Sequence, residues 1–117
     1  MEINALTLAT SDMSRAIAFW QVIGLTLTYG GPNSKFTTLA FGRNFINLQL
    51  DPSAPTDRPP FGWGRAVLHV ESPDDLWAKF AAAGYPSLTD PADAPWGERY
   101  FHILDPDGHE LSFARPL

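Results

Sequence analysis

The sequence contains an internal repeat, and this feature limits the possible folds more than any other. Shifting the chain by 60 positions aligns the second half with the first. The aligned pairs are Leu8 with Leu68, Ile17 with Trp77, Trp20 with Phe80, Gly24 with Gly84, and Leu25 with Tyr85. Two halves that share one pattern are expected to fold as two copies of one supersecondary unit.

Each half begins with an alternating apolar and polar segment, at residues 3–10 and 64–71, which is typical of a half-buried strand. The spacing then becomes helical. The apolar stripes are Ala16, Ile17, Phe19, Trp20 and Ile23 in the first half, and Leu76, Trp77, Phe80, Ala81 and Ala83 in the second. Ser11 or Asp12 is expected to cap the first helix and Ser72 the second, and Gly24 and Gly84 are expected to end them. Both helices should cover a sheet with their tryptophans in the core.

Further strand-like segments follow each predicted helix. They lie at 25–30, 35–42 and 44–50 in the first half, and at 87–90, 99–104 and 110–114 in the second. Each half is therefore predicted to be a βαβββ module. The segment 51–60 is rich in proline, which lacks a backbone donor, and is predicted to link module one (about 1–50) to module two (about 61–117) within a single domain, 1–117.

Composition excludes several classes of function. The chain has 8 basic and 13 acidic residues, a net charge of −5, so neither a phosphate-binding face nor a nucleic-acid partner is expected. No apolar run approaches the roughly 20 residues of a membrane span, and the first residues lack a signal-peptide pattern. We therefore expect a cytoplasmic protein without a membrane partner. The absence of cysteine excludes disulfides, thiolate metal sites and a cysteine nucleophile.

Several motifs together resemble a known superfamily. They are Ser11-Asp12-Met13 followed by Ala16-Ile17-Ala18-Phe19-Trp20 and Gly24-Leu25, then Pro95-Trp96-Gly97-Glu98-Arg99, and the turn Asp105-Pro106-Asp107-Gly108-His109. The chain resembles, over essentially its whole length, the vicinal oxygen chelate superfamily of glyoxalase I, extradiol dioxygenases and fosfomycin and bleomycin resistance proteins, particularly the bleomycin-resistance-like branch. The resemblance implies an α+β fold in which two βαβββ modules form a U-shaped, mostly antiparallel sheet around a cleft, usually in a homodimer.

Metal-dependent members of this superfamily carry a His or carboxylate ligand on the first and last strands of each module. The resemblance places Ala5, Asn47, Arg65 and Ser112 at these four positions. Alanine has no donor atom, and the arginine side chain is a permanent cation that repels a metal ion. We therefore expect no metal at the usual site and no cofactor.

Strand alternation predicts which other side chains share the cleft face. If the four positions face inward, so do Thr7, Gln49, Val67, His69, Glu110 and Ala114, and the resemblance to fosfomycin-binding members adds Tyr100, His102 and Leu104. Trp63 and Trp96 are each flanked by glycine. They either stack on a ligand, close the ends of the sheet, or lie in a dimer interface. Arg65 either holds a ligand or pairs with Glu110 or Glu71, and His109, in a turn, is expected to be exposed.

The residues leave three functions open. The first is a metal-free protein that binds and sequesters a small, partly aromatic, cationic, antibiotic-like molecule in a homodimer. The ligand-binding residues predicted for it are Thr7, Asn47, Gln49, Trp63, Arg65, His69, Trp96, Tyr100, His102, Glu110 and Ser112. The second is a lyase, isomerase or dioxygenase-like enzyme with an altered or metal-independent site. Its candidate catalytic residues are His69, His102 and Glu110, which could also form a displaced metal site, and Tyr100 could assist them. The third is a structural or regulatory module.

Overall fold

The computed structural model describes all 117 residues. The chain forms an N-terminal unit, Met1–Asp57, and a C-terminal unit, Arg58–Leu117. The N-terminal unit contains β1 (Ala5–Thr10), α1 (Met13–Val22), β2 (Thr26–Tyr29), β3 (Phe36–Phe41) and β4 (Asn44–Leu50). The C-terminal unit contains β5 (Ala66–His69), α2 (Pro73–Ala82), β6 (Ala92–Ala94), β7 (Glu98–Leu104) and β8 (Glu110–Pro116). The predicted α+β class and the βαβββ order of both modules are confirmed.

Both sheets have the same mixed topology. The strand order is β1-β4-β3-β2 in the N-terminal unit and β5-β8-β7-β6 in the C-terminal unit. In each sheet the first strand runs parallel to the last, and the other neighbours are antiparallel. The boundary between the units falls inside the proline-rich segment 51–60, which contains no helix or strand.

One face of each sheet packs against the helix of its own unit. In the N-terminal unit, α1 buries Ile17, Phe19 and Trp20, and Leu39 and Leu48 are among the buried residues of the strands. In the C-terminal unit, the rings of Phe80, Phe101 and Phe113 form the core, with centroids 5.6–6.4 Å apart. Burial of these side chains stabilises each unit by roughly 1.5–3 kcal/mol per large apolar residue.

The helices begin and end at the residues that the sequence indicates. Asp12 caps α1 by accepting from the backbone N–H of Arg15 at 3.1 Å, and Ser72 caps α2 by accepting from that of Asp75 at 3.2 Å. Gly24 and Gly84 follow the last turns with φ of 98° and 90°. Both helices have ten residues, and neither is long and apolar enough to cross a membrane.

Two details of the predicted C-terminal module are wrong. Ala81 and Ala83 are exposed, because α2 buries only the narrow stripe of Pro73, Leu76 and Phe80 and ends at Ala82; Trp77 is half-buried. Residues 87–90 do not form a strand, and the edge strand is β6 instead. Leu88 donates one backbone hydrogen bond to His102, but the Thr89 hydroxyl accepts from the backbone of His102, so a side chain interrupts the ladder.

Candidate functional site

The predicted cleft residues of the C-terminal unit lie on the sheet face opposite α2, here called the open face. Alternation along β5, β7 and β8 separates them from Phe101, Ile103, Leu111 and Phe113, which pack toward α2. Ser112 and Ala114 are themselves buried on the open face, with 4% and 1% exposure. The pairing of strands then aligns them in rows. One row contains Val67, Ser112 and His102, and the next contains His69, Ala114 and Tyr100.

Aromatic rings form a continuous row on the open face. The centroids of Trp96 and Tyr100 lie 5.6 Å apart at an interplanar angle of 33°, and those of Tyr100 and His102 lie 5.0 Å apart. Trp96 is 66% exposed, whereas Tyr100 and His102 are half-buried, so the row is most accessible at its Trp96 end. Planar or cationic groups are the chemistry that such a row can bind.

Glu98 joins the aromatic row to His69. Its carboxylate accepts from the indole Nε1 of Trp96 at 2.8 Å, and its other oxygen lies 3.2 Å from Nε2 of His69. Sequence reasoning did not select Glu98 as a site residue. The signal was available, because Glu98 lies two positions before Tyr100 on β7 and therefore shares its face.

A second group of side chains lies where β5 and β8 begin and β7 ends. Arg65 donates from Nε to Glu110 at 2.9 Å, which is one of the pairings considered for it, and its guanidinium carbon lies 4.4 Å from the ring centroid of Phe61. An adjacent cavity has a volume of about 170 Å³. Its lining is Arg58, Pro59, Pro60, Phe61, Gly62, Trp63, Gly64, Leu88, Leu104, Gly108 and Glu110.

His102 lies between these two groups and is adapted to remain uncharged. Burial lowers the pKa of His102, and the nearby Arg65 guanidinium lowers it further, against the opposing effect of Glu110. Its Nδ1 atom is buried without a hydrogen-bond partner. An uncharged imidazole at neutral pH can stack on a ligand or accept a proton.

His109 corrects a prediction, because its side chain is only 3% exposed. The indole Nε1 of Trp63 donates to its Nδ1 at 2.7 Å. The residue is held in the β7–β8 turn by Asp105, whose carboxylate accepts from the backbone N–H of His109 at 2.8 Å and from that of Asp107 at 3.0 Å. These hydrogen bonds hold His109 inside the turn rather than in solvent.

In the N-terminal unit, the face opposite α1 carries a row of polar side chains beside the half-buried Phe45. The Asn47 side chain accepts from the Thr38 hydroxyl at 2.8 Å and donates to the Thr7 hydroxyl at 3.2 Å. Gln49 follows on the same face of β4 and is exposed. The predicted residues Thr7 and Asn47 are therefore neighbours in one hydrogen-bonded row, which Thr38 completes.

The residues that the resemblance places at the four family ligand positions, Ala5, Asn47, Arg65 and the buried Ser112, are a poor set of ligands for a divalent metal ion. Ala5 supplies no donor, and Asn47 is occupied by the two threonines. Arg65 places a cation at the third position and binds Glu110, the nearest carboxylate on β8. No group of three or more His, Asp or Glu side chains in the structure is arranged to hold a metal.

Comparisons with known proteins agree with this architecture. TioX from Micromonospora sp. ML1 superposes with a TM-score of 0.79 at 23% identity, covering 100% of both chains. A lactoylglutathione lyase from Agrobacterium tumefaciens has a TM-score of 0.75 at 20% identity, covering 97% of this chain and 92% of its own. A bleomycin-binding protein complexed with bleomycin has a TM-score of 0.75 at 15% identity, covering 100% of this chain and 99% of its own.

At these identities the structural matches establish the fold alone. No curated protein sequence matches the chain. A family model, that of the Glyoxalase/Bleomycin resistance protein/Dioxygenase superfamily, matches residues 2–113. Because this match spans nearly the whole chain, and both βαβββ units are present, the chain belongs to the glyoxalase/bleomycin resistance protein/dioxygenase superfamily.

Proposed function

We propose that this protein binds and sequesters a small molecule with planar and cationic groups, and that it uses neither a metal ion nor a chemical reaction. The observation that carries the proposal is the row of Trp96, Tyr100 and His102 on the open face, which is exposed at Trp96. The faces of such rings stack on planar groups and attract cations. The carboxylate of Glu98, beside Trp96, adds negative charge at this point.

The cavity beside Trp63 supports an elongated ligand. Its volume of about 170 Å³ is below the roughly 300–1,000 Å³ of sites that enclose a whole drug-sized molecule. It has room for one ring, with the rest of the ligand outside. Leu104, which lines the cavity, ends β7, and Trp96 precedes the beginning of this strand. A seven-residue strand extends roughly 20 Å, so a ligand that reaches both places must be long.

The fold similarity to a bleomycin-binding protein complexed with bleomycin makes that antibiotic the first probe to test. We extend the proposal to a homodimer, since a cleft formed by two subunits would enclose more of a long ligand. We also propose that the protein acts in the cytoplasm. Sedimentation equilibrium should then give a mass near twice the 12.9 kDa of one chain. A mass of one chain at all concentrations would contradict the dimer.

Isothermal titration of the chelator-treated protein with metal-free bleomycin tests the binding function. We expect saturation near one ligand per chain, and about tenfold weaker binding in Trp96→Ala and Tyr100→Ala, because central aromatic residues dominate binding energy. Trp77→Phe is the matched control, since Trp77 lies on α2 and donates to Ser87 at 2.8 Å. No saturable binding, or equal weakening in the control, would contradict the proposal for this ligand.

An enzyme is the second candidate, and the lowered pKa of His102 favours it. An imidazole that is uncharged at neutral pH can accept a proton from a bound substrate. Mass spectrometry of the ligand after incubation separates the two functions. Sequestration returns the ligand unchanged, whereas a product that forms with the wild type and not with His102→Gln would establish the enzyme.

A further inference from the structure

The indole of Trp63 forms part of the cavity wall and makes one directional bond. Its Nε1 atom lies 2.7 Å from Nδ1 of His109, and the two ring centroids are 5.9 Å apart. An indole nitrogen can only donate, so Nδ1 must be the unprotonated acceptor. The proton of the His109 imidazole is consequently on Nε2.

The acceptor is held rigidly. The backbone of His109 is bound at both ends to Asp105, whose carboxylate accepts its N–H at 2.8 Å and whose own N–H donates to its carbonyl at 3.0 Å. The ring itself is 3% exposed. Because the ring is buried and two hydrogen bonds hold the backbone of His109, the ring has little freedom to turn, and Nδ1 remains directed at Trp63.

The donor lacks comparable local support. Trp63 is 47% exposed and lies between Gly62 and Gly64, which have no side chains to pack against its ring. The bond to His109 is therefore the polar contact that fixes the plane of the indole at the edge of the cavity.

We propose that His109 is a positioning residue, which holds the Trp63 ring in the orientation that forms the cavity wall and thereby prepares it to stack on a planar group of the ligand. The ligand part of this inference rests on the proposed function. The orientation of the Trp63 ring does not depend on the proposed function, and a separate measurement tests it.

The first arm of the test needs no ligand. Long-range proton–nitrogen spectra of the wild type should give His109 as the Nε2-protonated tautomer, and the Trp63 indole N–H signal should shift in His109→Leu. His109→Asn is the matched variant, because its side-chain oxygen can take the place of Nδ1 and should restore the signal. An Nδ1-protonated His109, or an indole signal that is the same in all three proteins, would overturn the proposal.

The second arm measures affinity for metal-free bleomycin. Loss of one neutral hydrogen bond should weaken binding by about three- to tenfold in His109→Leu, with recovery in His109→Asn. In a Trp63→Phe background, which lacks the donor, both His109 changes should have no effect on affinity. An effect that persists in this background would overturn the positioning role. If bleomycin binds to no variant, the proposed function fails for this ligand, while the spectra still decide the arrangement of Trp63 and His109.

Discussion

At the scale of single residues, burial changes the acidity of Asp105. Burial raises the pKa of Asp105 from 3.8 to about 6, with a smaller contribution from the neighbouring Asp107 carboxylate, and the contacts to His109 oppose the rise. The folded protein therefore binds this proton more tightly than the unfolded chain does. The resulting stabilisation is fully present below pH 3.8 and is lost as the pH rises through about 6.

We predict that Asp105 makes the free energy of unfolding higher at pH 5 than at pH 7.5, by on the order of 1 kcal/mol. Urea denaturation at the two pH values measures the difference. Asp105→Asn should reduce it, because an amide can still accept the two backbone N–H groups and never becomes charged. An equal pH dependence in both proteins would show that the carboxyl group does not titrate in this range.

Residue-level prediction succeeded where a partner lay on an adjacent strand and failed where it did not. The pair of Arg65 and Glu110 was among those considered, since both residues belong to one predicted sheet face. His109 was expected to be exposed, because Asp-Pro-Asp-Gly indicates a surface turn. Instead it is buried and accepts a hydrogen bond from Trp63, which lies 46 residues earlier. Local periodicity contains no information about such a contact.

At the scale of elements, the turn between β2 and β3 has no room for a side chain at Gly30. Gly30 has φ of +75°, and a Cβ atom there would overlap the carbonyl oxygen of Phe36 and lie 2.9 Å from the Thr37 hydroxyl. That hydroxyl is already engaged, accepting from the N–H of Gly31 at 3.1 Å and donating to its carbonyl at 3.2 Å. Neither obstacle can move without breaking the turn.

We predict that Gly30→Ala destabilises the protein more than Gly24→Ala. Both positions have positive φ, which costs a non-glycine residue about 1–2 kcal/mol, but a Cβ at Gly24 would meet nothing within 4 Å. The overlap at Gly30 should add roughly 1–3 kcal/mol. Chemical denaturation of the two variants gives the comparison, and equal losses would mean that the turn adjusts freely.

Element boundaries could be predicted wherever a cap or a glycine marks them. Asp12 and Ser72 begin the helices, and glycines follow both of them. The prediction of a strand at 87–90 was wrong for a physical reason that the alternation of residues does not show. Thr89 uses its hydroxyl in place of a backbone carbonyl, so an extended segment can lie beside β7 without joining its ladder.

At the scale of the whole molecule, the net charge of −5 should influence how a cationic ligand arrives. Raising the salt concentration from about 0.03 M to about 0.3 M shortens the Debye length roughly threefold. We predict that the association rate constant for a cationic ligand falls over this range, while the dissociation rate constant changes less. Stopped-flow fluorescence measures both. An uncharged analogue should associate at a nearly constant rate, and the same decline for both ligands would contradict steering.

The fold of the whole chain could be predicted because an internal repeat and several motifs agree with one superfamily. The cavity could not. It is built largely from residues 58–64, a segment without helix or strand in which Phe61 has the positive φ of 64°. Loop conformations of this kind leave no periodic signal in a sequence.

The left-handed backbone of Phe61 opposes folding stability to ligand affinity. A left-handed phenylalanine costs about 1–2 kcal/mol, out of a total folding free energy of about 5–15 kcal/mol. Its ring, 57% exposed, lies against the Arg65 guanidinium at the cavity. Phe61→Gly should therefore melt at a higher temperature and hold a ligand less tightly. Selection for heat resistance alone would remove this aromatic residue, so its retention in a thermostabilised descendant would indicate that the ring is needed for recognition.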